Sequence, residues 1–319
     1  MEQTEKQSVP GVLIKFAGLL GTTLSGHTLS IPEEFGTGYC SGFVFNEHIR
    51  MIISDYELTN DLIVENPEKR VEKVLFFKFQ NIFQKGYSAS AGKSPTQMPS
   101  VLIATSRINT GEVFAIHSNT ETINIEVDVP YLRGLFSHAE NSPVLQSLLH
   151  NAPPLLFEQF VHPVIQHIVD EIVDQTVQPS FQLFFLRIKA EELICRLLME
   201  LDKRKESRFY PLNDRDIQTI YKVKESMLAQ LNDPPVIEKL ALDAGMSPTK
   251  LKRVFRQIFG YSIYSYYQHF RMKEAANLLK GNNLSVSEVG YRLGFTNLSH
   301  FARVFEEHIG MKPKAYSRS

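Results

Sequence analysis

The sequence predicts a multidomain α+β protein: a strand-rich N-terminal part, a helical segment behind it, and an all-α domain at the C-terminus. Three observations predict it. Residues 1–130 carry short apolar runs broken by Gly, Pro and Asn, the rhythm of antiparallel strands. After Pro130 the apolar residues recur at three- and four-residue spacing, as helices require. Residues 236–310 then state one helical pattern twice. At 319 residues the chain is comfortable for two domains, expected at 1–204 and 213–319 with a linker at 205–212.

Strands are expected at residues 12–16, 42–45, 50–54, 73–79, 100–107, 113–116 and 122–127. The last is the clearest, because Ile123, Ile125 and Val127 alternate with Asn124 and Glu126, the period of a half-buried strand. Such a series suits an antiparallel barrel or a sandwich. Tyr39, Phe43, Phe45, Tyr56, Phe77 and Phe79 are either plain core or the lining of a cavity, so no ligand residue is nominated.

Helices are expected at 144–150, at 155–175 starting near Pro153 or Pro154, and at 181–203. In the second, Leu156, Phe160, Val164, Ile168 and Ile172 lie four apart; the third carries Phe184, Phe185, Ile188, Leu193, Leu197 and Leu198. Cys195 sits among those apolar residues and reads as core. Two consecutive apolar-striped helices form a hairpin that either covers the barrel or joins two subunits.

Several functions are disfavoured. Cys40 and Cys195 are too few and too ill-spaced for a disulfide framework or a zinc site. No His-x-His pair occurs, His27 with Glu33 or Glu34 lacks a second close histidine, and His162 and His167 are five apart. No phosphate loop or nucleophile elbow is present, so neither a cofactor nor an enzyme is expected. No stretch of 18 apolar residues would span a membrane and the N-terminus lacks a signal-peptide layout, so a cytoplasmic protein is expected. Charge is unevenly divided. Residues 213–319 hold 16 Lys and Arg against 10 Asp and Glu, a net of +6, while residues 1–212 hold 18 against 25, a net of −7. A basic C-terminal module is suited to polyanions.

The repeat explains that module. One copy reads Leu240, Ala241, Gly245, Met246, Ser247, then Leu251, Val254, Phe255 and Gly260; the other reads Val289, Gly290, Gly294, Phe295, Thr296, then Phe301, Val304, Phe305 and Gly310. The glycine pairs are 49 and 50 positions apart, so the copies are in register apart from one extra residue after Thr296. Gly245 and Gly294 are expected in the left-handed conformation that closes a helix. Ser247 and Thr296 are expected to N-cap the next helices, with Pro248 at the first helical position. Ser285 and Glu288 have the spacing of a capping box. Leu251, Val254, Phe255 and Ile258 form an inward stripe, repeated as Phe301, Val304, Phe305 and Ile309. Outward lie Thr249, Lys250, Lys252, Arg253 and Arg256 in the first copy, and Asn297, Ser299, His300 and Arg303 in the second. This is the plan of two helix-turn-helix units, whose second helices enter the DNA major groove.

These residues resemble the DNA-binding domain of the AraC/XylS family of bacterial transcription regulators. The resemblance includes Gly294-Phe295 through Phe305, then Gly310 to Tyr316, and a linking helix at 262–280 with Arg271, Ala275 and Leu279. Gly290 departs from it, since many members carry Ala there. A close helix crossing would use the missing side chain. The resemblance implies a cupin-like barrel in the N-terminal domain, dimerisation through helices within 155–204, and two recognition helices in successive major grooves. It places Thr249, Lys252 and Arg253, then Ser299, His300 and Arg303, at base-reading positions. Lys250 and Arg256 fit phosphate better. The implied partners are promoter DNA, RNA polymerase and a small-molecule effector, with activation the expected outcome. Two alternatives stay open: a regulator without a ligand whose N-terminal domain only dimerises, and a barrel enzyme fused to a DNA-binding module.

Overall fold

The computed structural model describes residues 8–60, 62, 74–83, 98–105, 119–136, 142–150, 154–174, 177–204, 209–281 and 284–319. The chain forms two compact units that part between Asn213 and Asp214.

The first unit is built on seven strands: β1 (Thr28–Ser30), β2 (Gly36–Val44), β3 (Ile49–Leu58), β4 (Val74–Gln80), β5 (Ser100–Thr105), β6 (Asn119–Asp128) and β7 (Leu156–Phe160). They pair antiparallel in the order β1-β2-β3-β6-β4-β5-β7. Among the described residues β1 and β7 are edges and do not pair, so the expected closed cupin-like barrel is instead an open sheet. The strand expected at 113–116 and the end of that at 100–107 lie outside the described residues.

One face of the sheet is apolar. Met51, Ile125, Phe77, Ile103 and Phe157 stand opposite one another across five strands, and all are buried. Against this face pack α2 (Val129–Leu135), α3 (Pro143–His150), α4 (Pro163–Asp174) and α5 (Pro179–Asp202). Phe43, Phe77 and Phe79 belong to this core, with Tyr39 and Phe45 partly buried beside it; Tyr56 belongs to a separate cluster around α1 (Gly11–Leu19).

Three expectations fail here for identifiable reasons. Residues 12–16 are in helix α1, not a strand: Leu13, Phe16, Ala17 and Leu20 are buried at helical spacing, while an apolar run this short fits either period. The helix expected at 155–175 is β7 followed by α4. A spacing of four keeps residues on one face of a strand as well as of a helix, and Pro163 belongs at a helix start, not inside one. Cys195 is exposed. Apolar residues lie on more than one side of helix α5, interspersed with charged ones, so apolar neighbours did not identify its buried face, which is Leu186, Ala190, Leu193, Ile194, Leu197, Leu198 and Leu201. The helices at 144–150 and 181–203 match α3 and α5, and Lys189 of α5 bonds Glu171 of α4 at 2.6 Å.

The second unit is helical: α6 (Asp214–Leu228), α7 (Ile237–Asp243), α8 (Pro248–Phe259), α9 (Ile263–Gly281), α10 (Val286–Arg292), α11 (Leu298–Ile309) and α12 (Pro313–Tyr316). Among the described residues no helix is long and apolar enough to cross a membrane. No group of three or more His, Cys, Asp or Glu among them is placed to hold a metal ion.

Candidate nucleic-acid interface

Two helix pairs, α7–α8 and α10–α11, carry the repeated pattern. Ser247 caps α8 by accepting from the Lys250 amide at 3.2 Å, with Pro248 at the first turn where no donor is lost. At α10 the capping box is complete: Ser285 Oγ accepts from the Glu288 amide at 3.3 Å, and the Glu288 carboxylate accepts from the Ser285 amide at 2.7 Å. Those bonds, the Ser285 side chain first, hold the Glu288 carboxyl below its ordinary range.

The cap of α11 differs from the expectation. It is Asn297, whose Oδ1 accepts from the His300 amide at 3.0 Å, and not Thr296. The extra residue in the second copy moves the cap one place along, so Asn297 helps build the helix start. Both turns use left-handed glycines, Gly245 at φ 60° and Gly294 at φ 76°. They are not equivalent, because a Cβ at Gly294 would lie 2.1 Å from the Asn232 carbonyl oxygen while one at Gly245 meets nothing. Gly290 has the packing role expected of it: a Cβ there would sit 2.7 Å from Leu298 Cδ2 and 3.2 Å from Phe301 Cδ1, where α10 and α11 cross.

The stripes point inward as the spacing requires. Leu251, Val254, Phe255 and Ile258 are buried, as are Phe301, Val304 and Phe305, with Ile309 partly so. The opposite faces therefore turn outward. Thr249, Lys252, Arg253 and Arg256 are exposed on α8, and Ser299, His300 and Arg303 on α11, with Asn297 at its start. Lys250 is the exception. It is half-buried, and its Nζ bonds Asp216 Oδ1 of α6 at 2.7 Å. Asp216 lies in the first turn of α6, and nothing local in the sequence signals its bond to a residue 34 positions on.

Helix α9 joins the two pairs. Its buried Tyr266 and Phe270 continue an aromatic series with Phe255 and Phe259 of α8. Tyr267 donates to the Leu231 carbonyl at 2.7 Å. Toward the other pair, buried Arg271 donates through Nε to the Leu293 carbonyl at 2.9 Å and through Nη1 to Gln268 at 3.2 Å. Burial, partly offset by Tyr267 and Tyr264, lowers the pKa of Arg271 from its ordinary value. The guanidinium of Arg271 also lies over the Phe295 ring; the sequence marked Arg271 through the linking helix, but not this partner. Ala275 and Leu279 are buried further along.

Comparison with known proteins agrees with this geometry. The helix-turn-helix domain family matches residues 240–319. The transcriptional regulator MtrA of Neisseria gonorrhoeae is 25% identical over 182 residues, 54% of this chain and 58% of that protein. The transcriptional activator RhaR of Enterobacter sp. (strain 638) is 30% identical over 124 residues, 39% of this chain and 44% of its own length. The arabinose operon regulatory protein of Escherichia coli K12 is 27% identical over 120 residues, 38% and 40% respectively. The chain spans about half the length of these relatives.

Proposed function

We propose that this chain, whose C-terminal residues 240–319 are a helix-turn-helix domain of the AraC type, is a sequence-specific regulator of transcription that binds duplex DNA. One observation carries the proposal: α8 and α11 each bury an apolar stripe and turn a polar, cationic face outward, and α9 packs against both pairs. A 19-residue helix is about 28 Å long, so α9 is a stiff spacer on the scale of one duplex turn.

In this reading Thr249, Lys252 and Arg253 read bases in one major groove and Ser299, His300 and Arg303 in the next. Arg256 meets phosphate, and Lys250 does so once released from Asp216. Asn297 supports the start of α11 beside the backbone. The N-terminal unit responds to a small-molecule effector, whose leverage equals its differential affinity for two arrangements of the protein. It also joins two copies through α4 and α5, and the bound dimer recruits RNA polymerase as an activator. The dimer is supported by large apolar side chains left outside on α5: Phe181, Phe184, Ile188 and Met199, with Phe184 67% exposed.

Selecting bound fragments from a random duplex pool tests the reading. The expected winner carries two short preferred segments about 10 base pairs apart. An enriched pool without sequence preference overturns it.

A further inference from the structure

In both helix-turn-helix pairs the third residue after the cap is tied twice, and differently in each copy. Its amide is the cap donor, Lys250 to Ser247 Oγ at 3.2 Å and His300 to Asn297 Oδ1 at 3.0 Å. Its side chain then meets a neighbour outside its own helix. Lys250 is drawn to Asp216 of α6. His300 instead leans on the Phe295 ring in the turn before α11, with ring centroids 5.7 Å apart and planes at 64°, an edge-on contact. The first copy has no ring to offer there, because Met246 takes the place of Phe295. Phe295 is held firmly. It is buried, the Arg271 guanidinium lies over its face, and the Phe301 ring of α11 stands 5.2 Å from its centre. A cation over a ring is attracted by its quadrupole, so Arg271 and packing together fix the plane of Phe295. His300, by contrast, is exposed. Exposed side chains hop quickly between rotamers. Turning an imidazole about its second torsion also exchanges ring nitrogen for C–H, so only one setting presents the right edge to a base.

We infer that Phe295 is a positioning residue for base reading: it holds the His300 imidazole at one setting, and Arg271 holds Phe295. Selectivity at one base pair then depends on a side chain that is itself buried. Ordering a side chain at the moment of binding costs affinity, and an imidazole ordered beforehand avoids that cost. The two copies differ accordingly. In the first, the residue at this place is held by a carboxylate that competes with phosphate; in the second, it is held by a ring that DNA leaves where it is. The inference rests on the regulator reading and adds what makes His300 selective.

Duplexes that differ from the selected sequence at one base pair test it, read by anisotropy on the full chain. His300→Ala first identifies the base pair that His300 reads, as the one where preference is lost. Phe295→Met, which gives the second copy the residue of the first, is expected to cut preference at that same base pair by roughly two- to tenfold and to keep it elsewhere. Arg271→Lys, which loosens Phe295 without replacing it, should show a smaller loss at the same place. Phe295→Met combined with His300→Ala should lose no more than His300→Ala alone. Nuclear magnetic resonance of the protein without DNA, labelled in histidine and phenylalanine, gives a second readout. A cross-peak between the Phe295 and His300 rings is expected in the wild type, and the His300 signal should move in Phe295→Met while those of His269 and His308 stay. The cross-peak is expected whether or not Phe295→Met folds, and its absence overturns the inference. So does a loss spread over every base pair, which would make Phe295 structural only, or full preference kept in Phe295→Met, or losses that add in the double variant. If His300→Ala loses preference nowhere, there is nothing to position, and the inference falls while the regulator reading stands. A selected pool without sequence preference sinks both.

Discussion

The Arg271 guanidinium lies 3.8 Å from the centre of the Phe295 ring, so one side chain of the linking helix both stacks on the second turn and donates to its Leu293 carbonyl. Removing it leaves that carbonyl unpaired and an aromatic face uncovered. Arg271→Ala is expected to cost about 3 kcal/mol, read by urea unfolding of the full chain. Arg271→Lys should recover under half, because an ammonium cannot both stack flat and fork. Equal stability of Ala and wild type would refute the clamp.

The paired glycines make a sharper contrast. Gly245→Ala is expected to cost about 1–2 kcal/mol, the strain of a left-handed alanine in open space. Gly294→Ala adds a collision with the Asn232 carbonyl and should cost more than about 3 kcal/mol. Similar costs in chemical unfolding would show that the two turns are equivalent after all.

Asp216 restrains Lys250. Asp216→Asn should tighten binding to every duplex by roughly two- to fivefold and steepen the salt dependence by about one phosphate contact. Lys250→Ala should weaken specific and random duplexes alike. Anisotropy titrations across a salt series give both slopes, and an unchanged slope in Asp216→Asn counts against a Lys250–phosphate contact.

Arg253 and Arg303 are expected to act differently from Lys250. Each alanine variant should lose about 1–3 kcal/mol of discrimination at a single base pair, with little loss on random sequence. Losses of equal size on cognate and random duplexes would reassign both to backbone contact.

On α5, Phe184→Glu should convert a dimer to a monomer in light scattering, and lower apparent DNA affinity through the lost second copy. A wild-type chain already monomeric at working concentration defeats the proposed interface.

The C-terminal domain was legible because its signals are local. Ser247, Ser285, Gly245, Gly294 and the stripe from Leu251 to Ile258 each fix backbone or burial within a few positions. A one-residue shift still escaped, since Thr296 and Asn297 are both good caps and only the observed bond to His300 separates them. The N-terminal unit was less legible because its order comes from pairing across long gaps. Lys78 aligns with Asn124, 46 positions away, and Leu102 with Glu158, 56 positions away, so their shared row appears only once the strands are registered. Leu156 and Phe160 were drawn into a helix because a spacing of four cannot tell the two periods apart. Arg271 was noticed without its partner, since a cation over a ring leaves no trace in sequence spacing.

An unclosed sheet has two rims onto which a stray chain can add. Among the described residues one rim, β1, is three residues long, and Pro32 follows soon after; the other, β7, is five residues long and is followed by Pro163. Short rims flanked by a residue that cannot donate offer a poor template for fibrils. This sheet should therefore tolerate high concentration without polymerising edge to edge.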